Sequence, residues 1–262
     1  MEAIVVQNLR KEFKVCHERQ SSLKALVLSF RRKRYEIVHA LKGISFAVKS
    51  GETVAIIGKN GSGKSTLLGI LSRVYLPTSG VVNVNGRVSS LLELGAGFHP
   101  ELTGIENIYL NGSILGMSRR EIKKRLDAII SFAELEQFID APIRTYSDGM
   151  VMRLGFSVAI QVDPDILLVD EVLAVGDESF QRKCYLKVRE LQSLGKTIIF
   201  VSHDLKAVKE VATRAIWLDQ GVISADGDVI QVLNSYLNSV LGASAHSCQP
   251  TKVGPNHDDQ QN

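Results

Sequence analysis

Short apolar runs alternate with longer segments of helical spacing along most of this chain, the pattern of an α/β protein. Ile4-Val5-Val6-Gln7-Asn8-Leu9 predicts an opening strand. Leu23, Leu26, Val27 and Phe30 then fall at helical spacing and run straight into Arg31-Arg32-Lys33-Arg34. A basic run joined to an apolar stripe is either a solvated face or a helix suited to a membrane surface or a docking partner. Residues 44–48 and 53–57 read as strands around a Ser50-Gly51 turn, and residues 66–71 as a helix. Residues 81–84 and 87–89 flank Asn85-Gly86, which predicts a tight hairpin.

Farther on, Gly95, Gly97 and Pro100 break the pattern. Thr103-x-x-Glu106 and Ser118-x-x-Glu121 have the form of capping boxes, each ahead of helical apolar spacing, so residues 103–139 read as helical. A helix over about 149–161 follows, and Ile166-Leu167-Leu168-Val169 reads as a buried parallel strand ending in Asp170-Glu171. A helix over 178–194, closed by Gly195, leads to a buried strand over 197–201. A hairpin of 214–218 and 222–225 and an amphipathic helix over about 228–241 complete the series. The expected organisation is one domain over 1–241, with a helical insertion at about 103–162. A polar tail over 242–262, carrying Pro250, Gly254 and Pro255, has too little apolar area to order itself.

Composition narrows this picture only modestly. Of 262 residues 45% are hydrophobic and 23% charged, an ordinary globular balance. No apolar run approaches the roughly 18–20 residues of a membrane span, and the start Met1-Glu2-Ala3-Ile4 lacks a basic segment followed by an apolar one, so a cytosolic location is expected. Cys16, Cys184 and Cys248 lie far apart, which predicts neither a disulfide framework nor a zinc site. The net charge of +3 is too small to imply nucleic acid.

The strongest chemical signal is Gly58-Lys59-Asn60-Gly61-Ser62-Gly63-Lys64-Ser65-Thr66, set between a strand and a helix. The spacing G-x-x-x-x-G-K-[ST] is that of a loop whose backbone N–H groups converge on phosphate oxygens, with the helix dipole adding to the field. Lys64 is expected to reach the β- and γ-phosphates, and the Ser65 hydroxyl to ligate Mg²⁺. At the end of its strand, Asp170 fits holding Mg²⁺ through a water, and Glu171 fits polarising the water that attacks the γ-phosphate. His203 follows another strand end, where it can contact the same γ-phosphate. Phe13, amid Arg10, Lys11 and Lys14, is either a core aromatic or a platform for adenine.

These features occur in a fixed order: the phosphate loop, Tyr146-Ser147-Asp148-Gly149-Met150, strand-Asp170-Glu171, Ala174-Val175-Gly176-Asp177 and His203. That order resembles an ABC ATPase with its Walker A, signature, Walker B, D-loop and switch histidine. Residues 91–104, 146–150 and 171–177 resemble more narrowly the ATP-binding subunits of capsular-polysaccharide, O-antigen and teichoic-acid exporters. The resemblance implies a P-loop NTPase fold of ABC type: a mostly parallel core sheet, an antiparallel β subdomain and a helical signature subdomain. It implies ATP and Mg²⁺ as cofactors and a head-to-tail homodimer, in which Ser147 and Gly149 serve the partner copy's γ-phosphate. Asp177 of the D-loop joins Phe13, Asn60 and the rest of the phosphate loop among the nucleotide-contacting residues.

A membrane-spanning permease subunit is the other implied partner, with no nucleic acid, and the location implied is the cytoplasmic face of the bacterial inner membrane. Two departures stand out. Asp148 occupies a place where most ABC proteins carry Gly or Ser, and Glu93 or Leu94-Gly95 stands where a glutamine is usual. Two rival classes fit less well. Soluble ABC ATPases acting on nucleic acid or ribosomes usually carry two cassettes or a long coiled coil, and a small-molecule P-loop kinase has no need of Ser147-Asp148-Gly149 or His203.

Overall fold

The computed structural model describes residues 1–16, 35–92, 95, 97–170, 176–202 and 204–246. The amphipathic basic segment at 23–34, Glu93, Leu94, Glu171, Ala174, Val175, His203 and the tail from 247 lie outside the described residues.

Two sheets organise the described chain. In the smaller, β1 (Glu2–Cys16) pairs antiparallel with β2 (Tyr35–Lys49) on one side and β4 (Ser79–Val84) on the other. Both long strands outrun the segments read from apolar alternation. The reason lies in the register, which continues from Glu2 opposite Lys49 to Cys16 opposite Tyr35 after the core has ended. Ile4, Val6, Leu9, Leu41, Ile44 and Val48 are buried, whereas Val15, Tyr35, Ile37 and Val38 at the far end are exposed. Backbone pairing carries the ribbon outward without a buried face, and it leaves no periodic signature.

The larger sheet has the order β5-β6-β7-β3-β8-β9. It comprises β3 (Thr53–Ile57), β5 (Val88–Ser90), β6 (Ile166–Asp170), β7 (Thr197–Val201), β8 (Arg214–Asp219) and β9 (Val222–Gly227). All neighbours are parallel except β8 and β9, which are joined at Gln220-Gly221 with positive φ at both positions, as a type I′ turn requires.

The expected hairpin at Asn85-Gly86 does not form. β4 pairs with β1 and β5 with β6, so the two residues splice one sheet to the other. Longer-range partners decide the path. The Asn85 N–H donates to the Ala3 carbonyl at 2.8 Å and its side-chain amide to the Glu2 carbonyl at 3.1 Å, while two residues later the Arg87 N–H donates to the Asp165 carboxylate at 2.8 Å. Gly86 passes so close to Asp165 that an added Cβ would sit 2.8 Å from its Cβ.

Helix α1 (Lys64–Leu71) follows β3. The helical insertion contains α2 (Gly104–Ile114), α3 (Arg119–Ala133) and α4 (Asp148–Ile160). Both capping boxes form as read. The Thr103 hydroxyl accepts from the Glu106 N–H while Glu106 accepts from the Thr103 N–H, and Ser118 and Glu121 repeat the arrangement. These bonds hold both glutamates below the usual carboxylate range. The remaining helices are α5 (Glu178–Ser193), α6 (Leu205–Val211) and α7 (Val229–His246). Helix α6 has no counterpart in the sequence reading, although Asp204 caps it through the Lys206 N–H at 2.9 Å. Helix α7 runs past the boundary at 241. No helix among the described residues is long and apolar enough to cross a membrane.

Alternate residues of the same strands feed the two faces of the large sheet. Val54, Ile56, Leu168 and Ile199 pack on α1 and the small sheet; Ala55, Ile57, Leu167 and Phe200 pack on α4, α5, α6 and α7. A third core, around Ile108, Ile122, Ile129 and Leu154, holds the helical insertion together. Because the parallel strands are buried on both sides, their sequences read as unbroken apolar runs.

Candidate functional site

The carboxyl end of β3 enters the glycine-rich loop through backbone that only glycine fits. At Gly58 φ is 151°, and an added Cβ would lie 2.1 Å from the Leu218 carbonyl oxygen of β8. At Gly63 φ is 106°, and an added Cβ would lie 2.6 Å from the Ala40 carbonyl oxygen of β2. The loop is thus clamped between the two sheets. Lys64 opens α1, is 6% exposed, and donates from Nζ to the carbonyls of Gly58 at 2.8 Å and Lys59 at 3.0 Å. Its ammonium is therefore held in the curve of the loop, beside a helix start that no side chain caps. Fixed positive charge and backbone donors at one point suit a bound anion.

Ser62 is turned into the loop. Its N–H donates to the Lys59 carbonyl at 3.2 Å, its own carbonyl accepts from the Gly221 N–H at 3.0 Å, and its buried hydroxyl has no partner among the described residues. It braces the loop on the β8–β9 turn. Ser65, Asn60 and Gly61 are exposed, and Thr66 is half-buried.

Two hollows flank this loop. One, of about 420 Å³, lies between Asn60, Gly61, Lys64 and Ser65 on one side and Phe13 and His39 on the other. The second, of about 270 Å³, is lined by Phe13, Ser65, Thr66, Tyr75 and Asp170. Ser65 and Asp170 thus line the same hollow, although they come from α1 and the end of β6. A hydroxyl and a carboxylate are the donors a hard cation takes, and Mg²⁺ keeps much of its coordination for water and phosphate. Among the described residues no three His, Cys, Asp or Glu side chains cluster in a way that would cage a metal by themselves.

Phe13 belongs to none of the buried cores and lines both hollows, so the structure does not place it as a core aromatic. It meets Tyr75 edge-on with ring centroids 5.6 Å apart. Phe13→Ala is expected to weaken adenine-nucleotide binding by about 1–3 kcal/mol, the usual worth of a stacked base. Equilibrium titration with ATP checks it, and an unchanged dissociation constant would remove Phe13 from the base platform.

The remaining predicted residues lie elsewhere on the same chain. Ser147 caps α4, accepting from the Met150 N–H at 3.3 Å, and with Asp148 it is exposed; neither they nor Gly149 line the two hollows. Asp177 is also outside them. Its carboxylate accepts from the Phe180 N–H at 2.9 Å, from the Ser179 hydroxyl at 2.8 Å and from Arg153 at 2.8 Å, and these bonds, led by that from Phe180, hold it below the usual range. Arg153 of α4 also pairs with Glu134 at 3.1 Å, which takes Lys183 at 3.1 Å. Within one chain Asp177 therefore ties the start of α5 to the helix capped by Ser147. Sequence reasoning did not find Arg153 or Tyr75, because a single arginine in a helix and a single tyrosine after one carry no motif.

The chain has relatives in sequence and in fold. Residues 41–174 match the family model described as ABC transporter. The O-antigen export system ATP-binding protein RfbB of Klebsiella pneumoniae is 48% identical over 241 residues, covering 90% of this chain and 98% of that protein. The protein of the same name from Myxococcus xanthus is 45% identical over 254 residues, covering 94% of this chain, and the chain spans 58% of its length. The teichoic acids export ATP-binding protein TagH of Bacillus anthracis is 41% identical over 230 residues, covering 88% of this chain and 41% of that protein. Among solved structures, an ATP-binding cassette captured as a dimer in a post-hydrolysis state with ADP and Pi superposes with a TM-score of 0.69 at 25% identity, covering 86% of this chain and 98% of that one. On the family match, on relatives that run along most of its length and on a fold shared with solved cassettes, this chain belongs to the ABC transporter family and has the fold of its ATP-binding cassettes.

Proposed function

We propose that the chain is the ATP-hydrolysing subunit that powers export of a cell-surface polysaccharide or lipid-linked glycan through a separate membrane-spanning permease. The observation that carries the ATPase half is Lys64, buried in the curve of the loop at the junction of β3 and α1, with Ser65 next to it lining one hollow together with Asp170. The export half is supported by the relatives, named for O-antigen and teichoic-acid export.

In this reading Asn60 to Thr66 present backbone donors to the phosphates, and Lys64 turns from its two carbonyls toward them. Ser65 and Asp170 hold Mg²⁺, which when bound neutralises charge on the phosphates. Glu171, directly after Asp170, orients and deprotonates the attacking water, and His203 reads the γ-phosphate. Ser147 and Gly149 stand apart from the hollows of their own chain, which suits a head-to-tail homodimer where each signature segment completes the partner's site. Closure then brings donors to the phosphate only when two copies meet, so turnover is linked to movement. The subunit works at the cytoplasmic face of the bacterial inner membrane, held there by the permease.

The test is to isolate the full chain from gently solubilised membranes and identify what accompanies it. A protein with several membrane-spanning segments is the expected companion. Recovery only in the soluble fraction, with ribosomes or nucleic acid, would overturn the export reading and leave the ATPase chemistry intact.

A further inference from the structure

Phe13 sits where the β1–β2 ribbon has left its core, so its position must be set from elsewhere. The segment after α1 supplies the support. The Val74 and Tyr75 N–H groups both donate to the Gly69 carbonyl, at 2.8 and 2.9 Å, and the Tyr75 ring lies so close over Gly69 that an added Cβ would be 2.5 Å from it. From there Tyr75 meets Phe13 edge to face, with an interplanar angle of 83°. Lys11 fastens the arrangement from β1. Its Nζ donates to the Leu76 carbonyl at 2.9 Å while lying 4.8 Å from the Phe13 ring centroid and 5.8 Å from that of Tyr75. Two more bonds stitch the same segment to β1: Thr78 N–H to the Arg10 carbonyl at 2.8 Å, and Glu12 N–H to the Thr78 hydroxyl at 2.9 Å.

We infer that Lys11 and Tyr75 are positioning residues for the nucleotide base, holding the Phe13 ring at a set distance from the phosphate loop. The geometry supplies a ruler. The helix that begins at Lys64 in the phosphate loop carries Gly69 about one and a half turns later; Gly69 seats Tyr75, and Tyr75 with Lys11 seats Phe13. A ring fixed in this way loses little freedom when a base stacks on it, and affinity gains what ordering would otherwise cost. The cation near the ring adds an attraction that a neutral side chain cannot replace. The inference rests on the nucleotide reading of this site, and it assigns to Lys11 a role in base recognition rather than in phosphate attraction.

The distinguishing experiment compares ligands with and without a base. Equilibrium binding of ATP, ADP and inorganic tripolyphosphate is measured for the full-length chain and for K11M, K11R, Y75L, Y75F, F13A and the double variant F13A/K11M. K11M and Y75L are expected to weaken ATP and ADP by about 3- to 10-fold while tripolyphosphate binding stays as in the parent. K11R and Y75F should keep most of the affinity, since each preserves the cation or the ring. In the F13A background, K11M should add nothing. Unchanged ATP affinity in K11M, an equal loss for tripolyphosphate, or full additivity with F13A would each overturn the inference. Parent and K11M chains that bind tripolyphosphate alike, with neither preferring ATP over it, would also do so. If the parent binds none of the three, the nucleotide reading itself has failed.

Discussion

Lys64→Ala is expected to lose nucleotide binding by about 2–5 kcal/mol, roughly 30-fold or more in dissociation constant, the range for truncating one partner of a buried charged contact. The size of the effect follows from where the ammonium sits. It is 6% exposed and bonded to the carbonyls of Gly58 and Lys59, so its charge is already desolvated and held within the loop before any anion arrives. An alanine there removes the cation and its bonds to both carbonyls, leaving that of Lys59 with the Ser62 N–H, so loop shape and charge fail together. Isothermal titration with ATP reads the affinity, and thermal unfolding of the same variant reads the loop's contribution to the fold. An affinity within about twofold of the parent would show that Lys64 is a loop brace and that the anion is held by the backbone alone.

A different signature is expected of Glu171→Gln. Glutamine keeps the size and loses the basicity, so turnover should fall by about 10²- to 10⁴-fold, the usual contribution of a general base, while ATP still binds. With Mg-ATP the variant should accumulate as a closed homodimer, because the step that releases it has been removed. Single-turnover hydrolysis and size-exclusion chromatography with light scattering read the two effects separately. The assignment rests on position in the sequence, one residue beyond Asp170 at the end of β6. Undiminished hydrolysis would transfer the base to another group.

Much of this site was legible before the fold, for a physical reason. The phosphate loop and the two capping boxes are local devices, in which residues a few positions apart complete one another's hydrogen bonds. Lys64 closes its bonds on Gly58 and Lys59, and Thr103 with Glu106 within a single turn, whereas the close passages that require glycine at 58 and 63 come from the distant β8 and β2. Asn85-Gly86 misled for the opposite reason. Flanking apolar runs and a turn-forming pair describe a hairpin locally, but strand pairing is settled by which edge is available, and β1 and β6 offered better ones. The support of Phe13 was invisible in the same sense, since it depends on Tyr75 lying across Gly69 from a different element. The bond between Asp177 and Arg153 was not legible either, because Arg153 belongs to the helical insertion.

The order of strands in the large sheet has a consequence for how the chain is made. β3 is the first of that sheet to leave the ribosome, all five of its residues end up buried, and both its neighbours come much later: Thr53 aligns with Ile198 of β7, and Val54 with Arg214 of β8. The small sheet can close once Val84 has emerged, whereas the strand leading into the phosphate loop must wait, unpaired and apolar, through synthesis of the whole helical insertion. Such a strand is prone to stick to other nascent chains. Among the elements made up to β5, α1 and the early-finished small sheet are the native surfaces that can shelter one face of β3 during that interval, since Val54 and Ile56 share their core.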